Sequence, residues 1–116
     1  MIQEINGYKA FGVWEGMSYG EPDSAFPDFE GYHDLNTIDK AAVIKHIKAL
    51  PDALSSFKTY DIFTGNKISD NAGFYEDGVF SFPIDFLYYY THYDIGIPPE
   101  YEQYLLEEVG LPPGKR

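Results

Sequence analysis

Histidine is the side chain best suited to proton transfer near neutral pH and to ligating zinc, and the chain has three, His33, His46 and His92. They stand 13 and 46 positions apart and none belongs to a His-Glu-x-x-His pair, so their spacing supports neither chemistry. His46 reads as a helix-end cation and His92 as a polar member of an aromatic helix. Serine-nucleophile chemistry is not expected either. Carboxylates are plentiful, 19 in all, and any two could be imagined as the acid and base of a sugar hydrolase. That reaction needs two held at a defined separation with divergent proton affinities, and no window specifies such a pair. Asp70-Asn71-Ala72-Gly73, followed by Glu76, lacks the alternating ligands and closing bidentate glutamate of a calcium loop. Gly7, Gly12, Gly16 and Gly20 lack the Gly-Lys-Ser/Thr ending of a P-loop and the Gly-x-Gly of a dinucleotide loop. They read instead as turns around a strand from about Tyr8 to Trp14. No catalytic residue, metal or cofactor is expected, and the chain reads as a non-enzyme.

Charge says more. Against the 19 acids stand 8 Lys and Arg, a formal net charge of -11, which disfavours direct contact with nucleic acid or an anionic membrane and favours a cationic partner. From Ile68 to Gly114 nine acids occur without a single Lys or Arg. Between Glu21 and Asp34 there are five more, including Glu21, Asp23, Asp28 and Glu30, among two prolines and Phe26, Phe29 and Tyr32. Such a segment is expected to be an ordered loop, its aromatic rings pinned to the core and its acids displayed. Glu76 and Asp77 sit at a turn. Glu107 and Glu108 fall in the last turn of a helix, where the dipole disfavours each anion by about 0.3 to 1 kcal/mol. Acids kept at that cost suit a contact surface. Tyrosine, with 11 copies, supplies large rigid anchors for such a surface. Successive helical positions turn by about 100°, so Tyr88, Tyr89 and Tyr90 cannot share one face, and Tyr89 or Tyr90 is expected to reach a partner.

The elements that must position these residues follow from periodicity. Asn36 can cap a helix over 37–50, with Asp39 three positions on, Val43, Ile44, Ile47 and Leu50 on one stripe, basic Lys45, His46 and Lys48 near its end, and Pro51 as the stop. The run from Phe57 to Thr64 favours a strand. Asp77-Gly78 between two aromatic runs predicts a hairpin with Tyr75 opposite Phe80 and Gly73 opposite Phe82, and with Tyr75, Phe80 and Phe82 facing the core. Pro83 opens a helix over 84–93. Pro98-Pro99 starts a last one, with Tyr101, Tyr104, Leu105 and Val109 on its stripe and Gly110 as its terminator. The tail from Pro112 is expected to be loose. The 116 residues suit one domain, residues 1–116, of α+β class: a small, mainly antiparallel sheet with a β-hairpin, packed against about three helices. Absence of cysteine fits a reducing cytoplasm, and no window has the roughly 18 apolar residues of a membrane span.

The stretch from Tyr60 to Tyr104 carries Tyr60-Asp61-Ile62, Thr64-Gly65, Ala72-Gly73-Phe74-Tyr75-Glu76-Asp77-Gly78, Phe82-Pro83, Tyr93-Asp94-Ile95-Gly96-Ile97-Pro98 and Tyr101. It resembles small bacterial immunity proteins of contact-dependent growth inhibition and related polymorphic toxin systems. The likeness covers under half the chain and does not extend to residues 1–56. It implies a cytoplasmic inhibitor that binds a cognate basic toxin domain, often a nuclease, and blocks its active cleft without turnover. The surface to contact it would comprise Glu21, Asp23, Asp28, Glu30, Glu76, Asp77, Glu107 and Glu108, with Tyr89 or Tyr90 as anchors. Two other readings compete: an acidic mimic of nucleic acid that captures a DNA-binding protein, and a small carbohydrate-binding or hydrolytic domain.

Overall fold

The computed structural model describes residues 3–5, 7–12, 36–54 and 58–114. Among these, seven strands and three α-helices make an α+β fold. In chain order they are β1 (Gln3–Ile5), β2 (Tyr8–Ala10), α1 (Lys40–Lys48), β3 (Asp52–Leu54), β4 (Thr59–Tyr60), β5 (Lys67–Ser69), β6 (Gly73–Asp77), β7 (Phe80–Pro83), α2 (Ile84–His92) and α3 (Pro99–Tyr104). A π-turn, Leu105–Val109, continues α3. The main sheet has the order β1-β2-β7-β6-β3, and β4 with β5 forms a separate ribbon. Pairing is antiparallel throughout except between β2 and β7, where Lys9 lies beside Phe80 and Ala10 beside Ser81 in parallel.

The hairpin forms where the sequence places it, with the turn one residue further on. Asp77 pairs with Phe80 and Tyr75 with Phe82, leaving Gly78 and Val79 as the two-residue loop. Gly78 has φ 60 at the first loop position, as the primed hairpin turns require, and a Cβ there would stand 2.9 Å from the Tyr104 hydroxyl. Each strand keeps the same parity under this register, so the facing residues are unchanged. Phe80 and Phe82 are buried, while Phe74 and Glu76 are exposed.

Helix α1 starts later than its periodicity suggests. Asp39, not Asn36, is the N-cap, its carboxylate accepting from the Ala41 amide. Asn36 is diverted: its side chain donates to the Ile97 carbonyl at 3.0 Å and accepts from the Ile97 amide at 2.7 Å. Of the expected strand over 57–64, Phe57 lies outside the described residues and the rest is strand only at Thr59–Tyr60, because the Asp61 carboxylate accepts from the amides of Phe63 and Thr64 and folds the chain into a turn. Residues 112–114 are not loose. Asp39 donates to the Pro112 carbonyl, Gly114 donates to the Thr37 carbonyl, and Ile38 bridges Pro113.

The core is aromatic. Phe11 stacks on Phe82 at 4.9 Å and meets Phe86 edge-on at 5.2 Å, while Tyr101 packs on Phe80 at 5.0 Å and on Phe82 at 5.5 Å. Each such buried ring contributes about 1.5 to 3 kcal/mol of transfer free energy before chain entropy is set against it. Gly12 follows Phe11 with φ 87, and a Cβ there would fall 2.8 Å from the Phe86 ring, so this close packing requires glycine. No helix among the described residues is long and apolar enough to cross a membrane.

Candidate functional site

The expected contact residues divide sharply. Glu76, Glu107 and Glu108 are exposed. Asp77 is only 6% exposed and Tyr89 and Tyr90 are 0%, which overturns their assignment as surface contacts. Helix α2 touches β5, β6, β7 and α1. Neighbours on several sides bury two consecutive tyrosines that a single covered face could not. The Tyr89 hydroxyl accepts from the Ile62 amide at 2.9 Å, and Lys40 places its ammonium 4.4 Å from the centre of the Tyr90 ring. Burial pushes the Tyr89 phenol well above its ordinary pKa. Glu21, Asp23, Asp28 and Glu30 lie outside the described residues. So does Gly16-Met17-Ser18-Tyr19-Gly20, which matches the Gly-x-Ser-x-Gly letters of a nucleophile elbow, a sequence signal that the expectation of no serine-nucleophile chemistry passed over.

Asp77 ties three elements together. One of its oxygens accepts from the Tyr101 hydroxyl at 2.7 Å and lies 2.8 Å from His46 Nε2, and the other accepts from the Tyr104 hydroxyl at 3.2 Å. The hairpin is thus fastened to α1 and α3 through one carboxylate. Burial and the Asp77 hydrogen bond hold the Tyr101 phenol far above its ordinary range. Tyr104 is raised by burial and by the charges of Asp77 and Glu108. Sequence periodicity gave His46 a place at a helix end, and the structure adds this acid partner.

Asp61 forms a second hub. One oxygen accepts from the amides of Phe63 at 2.7 Å and Thr64 at 3.2 Å, and the other from the hydroxyls of Tyr88 at 2.8 Å and Tyr93 at 2.6 Å. Burial pushes its carboxyl up, but the Tyr93 hydroxyl, the Phe63 amide, the Tyr88 hydroxyl and the Thr64 amide together outweigh that, and it ionises below the usual range. Tyr93 is pushed up to about 12 by burial and by its bond to Asp61. Tyr88 is raised chiefly by the same hydrogen bond. The sequence signal for this hub was the Asx-turn pattern Asp61 to Gly65, which the β-rich composition around it obscured.

Glu102 is a third acid with an internal task. It accepts from the Thr37 amide at 2.6 Å and the Ile38 amide at 3.1 Å, holding the approach to α1. Asp61, Asp77 and Glu102 therefore spend their oxygens on the fold. Among the described residues, no group of three or more His, Cys, Asp or Glu could hold a metal ion. An open cleft of about 320 Å³ lies along α2, with Lys48, Ser69, Tyr75, Tyr88 and His92 in its lining and no carboxylate among the described lining residues. It holds no paired acids for sugar hydrolysis.

At the hairpin end the geometry is different. The Tyr104 hydroxyl meets Asp77 and the turn at Gly78, and its own helix runs on into the π-turn that carries Glu107 and Glu108. Val79 in the hairpin loop is 49% exposed and Val109 in the π-turn 37%. The wider π-turn takes Val109 off the buried stripe that α-helical spacing had predicted for it. Glu76 and Glu108 make no ion pair with a described residue, whereas Glu100 is paired with Lys9 at 2.7 Å and Asp70 with Lys67 at 2.8 Å. Compared with models of known families, with curated proteins and with solved structures, the chain matches none.

Proposed function

We propose that the chain is an immunity protein, which binds a cognate cationic toxin domain of nuclease type inside the cytoplasm and blocks its active cleft without turnover. The observation that carries this reading is the division of labour among the acids. Asp61, Asp77 and Glu102 are consumed by the fold, while Glu76 in the hairpin and Glu107 and Glu108 in the π-turn remain exposed, as do apolar Val79 and Val109 in the same two elements, which Tyr104 joins through Asp77. Exposed anions speed encounter with a basic surface, and the apolar side chains supply contact area. The net charge of -11 supports the same kind of partner.

The test is co-expression with the toxic domain encoded by the neighbouring reading frame. Restored growth and a 1:1 complex that loosens as salt rises are the expected results. Reversing Glu76, Glu107 and Glu108 to lysine should weaken that complex about tenfold or more without lowering the thermal midpoint. Absence of rescue removes the proposal. Ser18→Ala separates it from hydrolysis, since a stoichiometric blocker protects as well without that hydroxyl.

A further inference from the structure

The cleft along α2 has apolar walls that include Ile68, Tyr75 and Leu87, and a volume of about 320 Å³. Its charged lining is basic: Lys48 and His92 face it, and no described carboxylate does. With 19 acids against 8 Lys and Arg in the chain, that is the reverse of what a random sample of its surface would supply. Neither side chain is engaged in an ion pair with a described residue, and His92 has a ring contact with Tyr88 at 4.6 Å. Of the other described basic groups, Lys9 is held by Glu100, Lys67 by Asp70, His46 by Asp77 and Lys40 by two carbonyls, whereas Lys45 and Lys58 make no ion pair with a described residue and do not line the cleft. None of the cleft residues belongs to the acidic surface proposed above.

We propose that this cleft binds a small organic carboxylate, its apolar body against Ile68, Tyr75 and Leu87 and its charge toward Lys48 and His92. The volume stands at the lower end of the roughly 300 to 1,000 Å³ typical of small-molecule pockets, which suits a ligand of about one ring. Among the described residues no arginine fork lines the cleft, so a single ammonium and an imidazole favour a monoanion over a phosphate ester.

Benzoate and benzamide, alike in shape and different in charge, are the probes. In amide-resolved NMR titrations at fixed low salt, benzoate should shift Ser69, Leu87 and Thr91 saturably, with about tenfold tighter binding than benzamide. Lys48→Met should weaken benzoate about fivefold or more, whereas Lys45→Met, one turn earlier, likewise exposed and outside the cleft lining, should not. His92→Gln provides a second variant, read in the same way. Equal binding of the two probes, no saturable shift, or native affinity in both Lys48→Met and His92→Gln overturns the proposal.

Discussion

Asp61 and Asp77 present the same chemistry twice, a buried carboxylate gripped by two tyrosine hydroxyls, and the protein uses it for two purposes. Around Asp61 the remaining donors are two backbone amides of its own turn, so the hub joins that turn to α2 and the residue that ends it, and its donors are all uncharged. Around Asp77 the remaining partner is His46 on α1, 31 positions away, and the two tyrosines, 24 and 27 positions on, come from α3. One acid shapes a turn and docks it on α2. The other locks the hairpin, α1 and α3 into one unit. The comparison teaches that a buried carboxylate's worth depends on how many separate elements share it.

The largest effect should therefore come from Asp77→Ala, which strands Tyr101 and His46 and should cost about 3 kcal/mol or more in urea denaturation. Asp61→Ala should cost less, about 2 kcal/mol, because the freed turn and the half-buried Tyr88 and Tyr93 can recover water. Equal losses would erase the distinction between the hubs.

Acid and alkali sharpen it further. Because Asp61 ionises below the usual range, the stability it contributes is present above the unfolded carboxylate pKa of about 3.9 and is lost as pH falls through its lower folded value. Asp61→Asn should flatten that acid limb. Tyr93, pushed up to about 12, contributes stability that is complete below about pH 10 and lost as pH rises toward 12. Ultraviolet titration should show several tyrosines ionising late, and Tyr93→Phe should remove one of them at a cost of about 1 kcal/mol. The smallest change is outside both hubs: Glu107→Gln with Glu108→Gln should alter stability by only a few tenths of a kcal/mol, toward greater stability. A large loss there would mean these acids serve the fold.

Some of this was legible in the sequence and some was not, for physical reasons. The hairpin and its faces were readable because alternation fixes the core side and tolerates a turn displaced by one residue. The α2 and α3 boundaries followed from Pro83, Pro99 and Gly110, with Gly110 in the left-handed conformation at φ 84. Asn36 and Asp39 are equally good caps by residue type, and only the distant Ile97 backbone decided between them. The parallel pairing of β2 with β7 joins segments about 70 residues apart, beyond any local pattern. The hubs were hidden because a tyrosine count does not tell which hydroxyls turn inward.

The seat of α1 has a consequence for biosynthesis. Its leading residues, 36 to 39, are fastened by Ile97, Glu102, Pro112 and Gly114, and its His46 by Asp77. During translation that seat stays incomplete until about 60 to 77 further residues have emerged from the ribosome. A ribosome stalled before residue 97 would consequently display a nascent chain with its aromatic interior still open to chaperones.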